Sequence, residues 1–428
     1  MSRQGYYFAA VIFGAGGQFL AGYLMSQNLD LEGFGSFSLI LSIIASLSAI
    51  ILFGQATAMS VVIFADEKVN NSYIRTEIRS SLLIICVAFF VVCILTVVAW
   101  YLFYLDEFEF SLISLMLIGA LSMAMQLFFM SLVQQLDHYR GYLFSAVVGA
   151  ITLTIFAWAA LTPIGYIFGM LVSSIGVGVS VIFFSARQFF ESKSNSRGKV
   201  FSRRELVLLG YIAIPGMLIT AANGFADRFL LSKFLSLEAV GLYSLGFLIS
   251  VGVGRVLISG ILRANSIYFM RYLQRGDFLD ASRILQRSEL LLCGFSIAAF
   301  VGYYTIGDKL VMIVLGEKYV LAYPLMLSLF IAVMLEGMVF FLGQALIQKK
   351  KLYLLVINNF VLLSFAVALN YLLIPIFNLN GPVIVLFFVQ LISVFVVFYQ
   401  VRLVADWVQF PRYIIATAII IFGFNQLY

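Results

Sequence analysis

The sequence predicts an all-α polytopic membrane protein with about twelve transmembrane helices in two homologous six-helix bundles, followed by a short apolar C-terminal segment. Composition is the first reason: 63% of the residues are hydrophobic and only 11% are charged, which is more apolar surface than a water-soluble domain can bury. An internal repeat is the second. Leu29-x-Leu31-Glu32-x-x-Gly35-x-Phe37-Ser38-Leu39 returns 206 residues later as Leu235-x-Leu237-Glu238-x-x-Gly241-x-Tyr243-Ser244-Leu245.

The predicted helices are apolar stretches long enough to cross about 30 Å of hydrocarbon at about 1.5 Å per residue. Runs of this length and continuity favour helices, because the strands of a membrane barrel are shorter and alternate between polar and apolar residues. We place the twelve segments at about 6–27, 36–64, 80–104, 110–134, 141–161, 164–186, 206–233, 240–265, 288–308, 323–347, 352–375 and 381–403.

The repeat divides the chain into a first bundle at 1–186 and a second at 206–403, joined by a basic linker at 187–205. Each copy of the repeat lies between the first and second segments of its half, so the duplicated unit is a whole bundle. The apolar tail at 404–428 is slightly too short to span comfortably. A partial crossing, an interfacial helix and a tilted short span all remain open for it.

The basic residues predict the orientation, because short cytoplasmic loops are enriched in Lys and Arg. All but five of the 26 Lys and Arg residues fall before the first segment or in alternate connections after it, which places the N-terminus in the cytoplasm. The opposite, outer connections carry acids such as Asp30, Glu32 and Asp106. The charge of the linker therefore orients the protein, and we expect no nucleic-acid partner.

Soluble enzyme chemistry finds little support in this sequence. The three cysteines lie in apolar segments without metal-ligand spacing, and the single His138 can form neither a zinc site nor a catalytic triad by itself. The glycine-rich runs match neither a phosphate-binding loop nor a dinucleotide fingerprint. We expect a non-enzyme without a cofactor, for which coupling to protons or sodium is the open energy source.

Polar residues inside the segments are the candidate site, because they are costly in lipid and often mark transport pathways. Asp227 and Asn223 share one face of the seventh segment, Arg255 and Arg263 lie in the eighth, and Glu336 lies near the middle of the tenth. Asp227 and Glu336 are the buried carboxylates expected for ion coupling. An alternative is that Arg255 and Glu336 only neutralise each other between packed helices.

Other polar positions are explained by helix packing or by the membrane surface. Gln18 belongs to a weakly polar stripe with Gly14, Gly22 and Ser26, and such stripes are mostly packing surfaces. Arg228 and Lys233 are expected to extend to the outer membrane surface, because their long stems can reach the headgroups.

The arginines predict a cavity in the second half that is basic on balance. Guanidinium groups bind phosphate oxygens in a forked geometry, so a basic cavity suits a phosphate-bearing substrate. The first half has hydroxyls, amides and glycines but almost no charge in its segments, which suits an uncharged sugar or a lipid tail. Together these features indicate an amphipathic ligand. Two related bundles that rock about a shared interface also predict alternating access.

Several stretches carry a family resemblance over nearly the whole chain: Glu32-Gly-Phe-Gly35-Ser-Phe-Ser-Leu39, Phe53-Gly-Gln55, and Asp227-Arg228 leading into Val240-Gly-Leu-Tyr-Ser-Leu245. They resemble the polysaccharide-biosynthesis flippases, including the O-antigen flippases of lipopolysaccharide assembly, within the multidrug/oligosaccharidyl-lipid/polysaccharide exporter superfamily. The resemblance implies movement of undecaprenyl-diphosphate-linked oligosaccharide from the cytoplasmic to the outer leaflet of the bacterial inner membrane.

The resemblance also implies a central cavity whose charges lie on the seventh and eighth helices, which carry Asp227 and Arg255. The candidate cavity residues are Arg255, Arg263, Asp227, Asn223, Gln18 and Gln55. Membrane lipid and other polysaccharide assembly proteins are the implied partners. Three other classes stay open: an ion-coupled multidrug or cation antiporter of the same superfamily, a membrane glycosyltransferase or polymerase, and a structural or scramblase-like role. The short outer connections argue against the glycosyltransferase or polymerase.

Overall fold

A computed structural model provides the fold of the chain. It describes residues 3–56, 71–103, 110–135, 138–160, 162–191, 224–258, 275–348, 351–403 and 411–427, together with the single positions 59, 219, 222, 262, 265, 268, 269, 272, 273 and 408. Within these residues the regular structure is entirely helical, as the sequence predicts.

Fourteen helices lie within the described residues, and each is numbered here in chain order. They are α1 Arg3–Asn28, α2 Leu31–Leu52, α3 Asn71–Phe103, α4 Phe110–Gln135, α5 Tyr139–Ala160, α6 Pro163–Glu191, α7 at 224–234, α8 Leu237–Leu257, α9 Phe278–Gly302, α10 Asp308–Leu315, α11 Tyr323–Gln348, α12 Leu352–Phe377, α13 Asn380–Arg402 and α14 Arg412–Leu427. A π-helical turn, Tyr303–Gly307, and a short 3₁₀ helix, Glu317–Ala322, flank α10.

Eleven of the described helices are long and apolar enough to cross a membrane. The predicted seventh segment at 206–233 is described mainly from residue 224 onward, where it forms α7. The α-helical, polytopic membrane fold predicted from composition and segment length is therefore confirmed.

The helices group into two compact units. The first contains Met1–Ala21 and Ile40–Phe225, and the second contains Gly22–Leu39 and Ala226–Tyr428. The C-terminal end of α1 and the N-terminal end of α2, with the turn between them, thus pack with the second unit, although both helices continue into the first. The bundle boundaries predicted from the repeat stay predictions, and most of the linker at 187–205 lies outside the described residues.

Small residues bring the helices of the first unit close together. A methyl group built at Gly17 of α1 would overlap the side chain of Ala150 in α5, and one built at Gly169 of α6 would lie 2.7 Å from Cβ of Phe156. Close backbone approach at glycine and alanine is how membrane helices gain dispersion contacts without a hydrophobic driving force.

The end of α2 also lies in the first unit and has an unusual backbone. Phe53 (φ 48°) and Gly54 (φ 67°) both adopt left-handed conformations directly after the last helical turn. A bulky residue such as phenylalanine is rarely found there, because its Cβ crowds the backbone. The turn places Gln55 in a fully buried position.

The second unit is built around α11, whose surface is buried on nearly every side. It packs against α8, α13, α14 and α9. Gly254 of α8 approaches Val333, and Gly337 of α11 approaches Ile258, so small residues again permit close helix contacts. The Ser250 hydroxyl donates a 2.7 Å hydrogen bond to the carbonyl oxygen of Met326, which ties α8 to α11 inside the apolar core.

The apolar C-terminal tail forms α14, which docks onto α9 and α11 of the second unit. Glu289 of α9 is buried, and its Oε1 accepts hydrogen bonds from the backbone N–H groups of Tyr413 (2.8 Å) and Ile414 (3.2 Å). These are first-turn N–H groups, which lack partners inside their own helix, and a carboxylate there also complements the helix dipole. Phe387 and Phe422 stack with ring centroids 3.8 Å apart.

Candidate functional site

Asp227 is the centre of a polar cluster in the second unit. It lies on α7, and its carboxylate accepts a 3.0 Å hydrogen bond from the Tyr243 hydroxyl of α8 and a 2.7 Å bond from Nδ2 of Asn370 in α12. Tyr243 and Asn370 are both almost completely buried. Three helices thus contribute one side chain each to a carboxylate held in an apolar bundle.

Asn370 leaves one polar atom of this cluster unused. Its Nδ2 donates to Asp227, while its Oδ1 is buried and has no hydrogen-bond partner within the described structure. An unpaired buried acceptor is energetically costly, and membrane helices have no bulk water to satisfy it. A carboxylate beside a free carbonyl oxygen is a donor set that can accept a proton or a small cation.

Arg228 follows Asp227 and forms a second polar cluster. Its Nε lies 2.9 Å from the Ser38 hydroxyl oxygen and 3.0 Å from that of Ser244, so the N–H is shared between the two serines. The guanidinium carbon lies 4.9 Å from the ring centroid of Phe247, within cation–π range. The expectation that Arg228 extends to the membrane surface was wrong, because its head group binds inside the unit.

The two serines occupy equivalent positions in the two copies of the repeat. Ser38 donates a 2.6 Å hydrogen bond to Ser244 across a sequence separation of 206 residues. The glycines of the repeat meet in the same way. A methyl group built at Gly35 would overlap the carbonyl oxygen of Leu237, and one built at Gly241 would overlap the carbonyl oxygen of Leu31.

This reciprocity is the signature of a local two-fold relationship, since each residue of one copy meets the equivalent partner in the other. We call Gly35, Ser38, Gly241 and Ser244 the motif contact. The contact lies wholly within the second unit, because that unit includes residues 22–39. The repeated sequence therefore pairs with itself in space.

Glu336 differs from its prediction. Although it lies in the central helix α11, it is exposed, so it is not the buried carboxylate expected from its depth in the sequence. Phe340, one turn further, is also exposed, and Gln344 follows after another turn. Glu336 and Phe340 are exposed and Gln344 is half-buried, so this side of α11 is less covered than its surroundings.

The remaining predicted residues do not join the Asp227 cluster within the described structure. The backbone of Arg255 lies in the last turn of α8, while its side chain, Asn223 and Arg263 lie outside the described residues. Gln18 is exposed on α1 in the first unit. Gln55 is fully buried; its Nε2 donates to the carbonyl oxygen of Phe53 (3.2 Å), and its Oε1 has no hydrogen-bond partner.

Sequence reasoning missed several members of the two clusters. Ser38, Tyr243 and Ser244 lie inside the repeat that was recognised, but as sequence letters they gave no sign of pairing with each other. Asn370 was visible as a polar residue in the eleventh segment, without an indicated partner. Its partnership with Asp227 arises from tertiary packing of α12 against α7.

The chain matches known proteins at two levels. A family model described as "Polysaccharide biosynthesis protein" matches residues 4–271, which include both copies of the repeat. No individual curated protein matches significantly.

Solved structures with the same fold are transporters. An inward-facing multidrug resistance MATE family transporter of the MOP superfamily has a TM-score of 0.59 and 15% identity, with 95% of each chain covered. The MATE multidrug transporter DinF-BH has a TM-score of 0.64 and 16% identity over 93% of this chain and 94% of its own. The MATE transporter VcmN of Vibrio cholerae in its bent form has a TM-score of 0.60 and 15% identity over 95% and 97%.

These similarities agree with the features of the chain itself. The identities are low, so the structural likeness concerns the fold alone, which this chain shares with these MATE transporters. The family model covers more than half of the chain, including α1 to α8. The chain therefore belongs to the polysaccharide biosynthesis protein family.

Proposed function

We propose that the protein is a flippase that moves undecaprenyl-diphosphate-linked oligosaccharide, an O-antigen or related surface polysaccharide unit, from the cytoplasmic to the outer leaflet by alternating access. Membership of the polysaccharide biosynthesis family carries this proposal, because the family description supplies the pathway and the fold supplies the transport. A transporter in polysaccharide synthesis needs an intermediate that must cross a membrane, and a lipid-linked glycan is such a molecule.

The proposed phosphate ligands are Arg255 and Arg263. Guanidinium groups bind phosphate oxygens with two parallel hydrogen bonds and keep their charge in an apolar environment. Asn223, Gln18 and Gln55 would bind sugar hydroxyls, since amides both donate and accept hydrogen bonds. The polyprenyl chain would stay in the lipid while the head group crosses.

Ion coupling is proposed at Asp227. A buried carboxylate in a membrane helix is costly, so binding a proton or Na⁺ there can favour one conformation over another. The free Oδ1 of Asn370 supports this assignment, because it offers a further oxygen beside the carboxylate. Glu336, exposed on α11, is the second carboxylate to test.

The proposed setting is the inner membrane of a bacterium, with the N-terminus in the cytoplasm. The distribution of basic residues supports this orientation, since all but five of the 26 Lys and Arg residues lie on one predicted side. Other polysaccharide assembly proteins are proposed partners, because a flipped glycan must be passed to a polymerising or ligating enzyme.

The direct test uses purified protein in liposomes loaded with a fluorescent polyprenyl-diphosphate oligosaccharide. Accessibility of the glycan to an external lectin is followed over time for wild type, Arg255→Ala and the control Arg402→Ala, an exposed arginine at the end of α13. We expect fast exposure with wild type and Arg402→Ala, and none with Arg255→Ala. Equal rates for all three would remove the phosphate-binding role of Arg255.

A multidrug antiporter is the second candidate. Two observations favour it: the solved structures of the same fold are multidrug transporters, and Asp227 is an acid held inside the bundle. The same liposomes separate the two functions. An antiporter would move a fluorescent organic cation against a proton or sodium gradient and leave the lipid-linked glycan where it was loaded.

A further inference from the structure

We infer that the motif contact and Arg228 together form a latch that closes the outer end of the transport pathway and must break in each cycle. The inference rests on the proposed transport function, because only a protein that alternates between two states needs a reversible closure. It assigns a role to Arg228 and to the repeated serines that no family similarity supplies.

The position of the latch supports this role. The turns at 29–30 and 235–236 lie in connections that the charge distribution predicts to be on the outer side of the membrane. The serines lie two turns into α2 and α8 from those connections. A contact between two helices at this depth closes the outer end of any path that runs between them.

The hairpin that carries Gly35 and Ser38 belongs to helices that continue into the first unit. Residues 22–39 pack in the second unit, yet α1 before them and α2 after them continue into the first unit. This hairpin therefore remains with the second unit only while its contacts there hold. A displacement of the hairpin away from the second unit has to break these contacts.

The chemistry of the contact suits repeated breaking. At its centre are two glycines and two serine hydroxyls, which bury little apolar surface, so separation costs less than opening a leucine-rich interface. Serine hydroxyls can exchange their mutual hydrogen bond for bonds to water when the outer end opens. Small surfaces of this kind form and separate readily.

Arg228 adds charged hydrogen bonds to the contact between the small residues. Its charged N–H lies within 3.0 Å of both hydroxyl oxygens, and hydrogen bonds from a charged donor are stronger than those between neutral groups. Phe247 lies against the guanidinium group and shields it. One arginine thus holds both copies of the repeat.

A second attachment of the hairpin lies nearby. Tyr319 is fully buried, and its hydroxyl donates a 2.6 Å hydrogen bond to the carbonyl oxygen of Ser26. Its ring also contacts Phe34, with centroids 6.3 Å apart. Opening must release this bond as well, so Tyr319→Phe should weaken closure in the same direction as loss of Arg228.

The test measures solvent access to the contact without any substrate. Cys86, Cys93 and Cys293 are first replaced by alanine, and Ser42→Cys is introduced as a reporter, because Ser42 lies one turn beyond Ser38 on α2, is 9% exposed and is not part of the motif contact. Right-side-out vesicles are treated with a membrane-impermeant maleimide, and the labelling rate is measured with Arg228, Arg228→Ala or Arg228→Gln. Lys233→Ala, which removes an exposed cation from the same helix, is the control.

We expect slow labelling with Arg228 and with Lys233→Ala, and a rate at least about tenfold higher with Arg228→Ala or Arg228→Gln, since a charge-assisted bond is lost. Labelling that is equally slow in all of these proteins, each monodisperse by size exclusion, would overturn the latch. If Arg228→Ala fails to fold, Arg228→Gln, which retains a hydrogen-bond donor, decides the question.

A cross-link provides the second measurement. Ser38→Cys together with Ser244→Cys should form a disulfide on oxidation, which stops transport until dithiothreitol restores it. Full transport with the bond intact would overturn the requirement for opening. The labelling readout is separable from the identity of the cargo because it needs none. A failed glycan assay with a latch whose labelling still responds to Arg228→Ala would count against the flippase proposal alone.

Discussion

Ser38 and Ser244 are equivalent residues of a sequence repeat, and the hydroxyl of one donates a 2.6 Å hydrogen bond to the hydroxyl of the other. Two related segments in a duplicated chain need not touch, since each could pack only within its own half. Here they touch at the same residues, and glycines on both sides allow the backbones to meet. The repeat is therefore an interface as well as a record of duplication.

Gly35→Ala should destabilise the protein strongly. The added methyl group would overlap the carbonyl oxygen of Leu237 and lie 3.1 Å from the amide nitrogen of Gly241, and backbone atoms cannot move aside cheaply. We expect a loss of about 1–3 kcal/mol, seen as a lower thermal midpoint in detergent. Gly16→Ala is the matched control, because a methyl group there meets nothing within 4 Å. A midpoint unchanged by Gly35→Ala would contradict the close approach.

Asp227→Asn should remove ion dependence while leaving the fold intact. Its amide oxygen can still accept a hydrogen bond from Tyr243 or Asn370, but the charge that attracts a cation is lost. If Na⁺ is the coupling ion, we expect the thermal midpoint of the wild type to rise when Na⁺ replaces a large organic cation. If the proton is the coupling ion, we expect its transport to be driven by a proton gradient. The variant should lose whichever of these two responses the wild type shows. Glu238→Gln, an exposed acid in the first turn of α8, is the control.

Asn370→Ala tests the same cluster from its other side. Removing the amide deletes both the donor to Asp227 and the buried, unpaired Oδ1. If that oxygen binds the coupling ion, the half-saturating ion concentration should rise by about tenfold while the unbound protein keeps its thermal midpoint within a few degrees. An unchanged ion response would restrict Asn370 to a structural role.

Glu289→Leu should loosen α14 from the second unit. Leucine has an apolar side chain that can occupy much of the same space, but the backbone N–H groups of Tyr413 and Ile414 lose their acceptor. We expect a loss of about 2 kcal/mol and faster proteolysis of the C-terminal tail. Asp280→Asn, at an exposed acid in the first turn of the same helix, should change neither.

The Asn358 and Gln400 side chains allow a double-mutant cycle inside the membrane region. Their amides exchange two hydrogen bonds, Nδ2 of Asn358 to Oε1 of Gln400 (2.6 Å) and Nε2 of Gln400 to Oδ1 of Asn358 (2.9 Å). Either residue changed alone to leucine should cost about 1–2 kcal/mol by leaving the partner amide unpaired, while the double change should cost less than the sum. Additive losses would mean that the pair is uncoupled.

The sequence was sufficient for the fold because lipid imposes strong rules on it. Uninterrupted apolar stretches must form helices there, so their lengths predicted the class and, within the described residues, eleven of the twelve spans. Glu289 shows the limit of this reasoning. At the beginning of the predicted ninth segment, it resembles an ordinary interfacial acid, and only the docking of α14 reveals why a carboxylate is buried there.

The candidate site was predicted only in part, because depth along a helix does not give the direction that a side chain faces. Glu336 is central in α11, but α11 is apolar all round and its pattern does not reveal which side is uncovered. Arg228 lies near a predicted membrane surface. The sequence there does not distinguish an arginine that extends to the headgroups from one that binds other side chains inside the protein. The cavity and coupling roles of Asp227 stay predictions, and its hydrogen-bond partners depend on packing among three helices.

Arg228 also bears on how such a chain could arise from two identical subunits. The residues 206 positions before Asp227 and Arg228 are Ala21 and Gly22, so the first copy has neither the acid nor the arginine. In a symmetric homodimer an arginine that bridges both serines would be present twice, and two like charges would compete for one place beside the axis. In a single chain the two copies can differ, and Gly22, at the position equivalent to Arg228, leaves space that the side chain of Leu248 occupies.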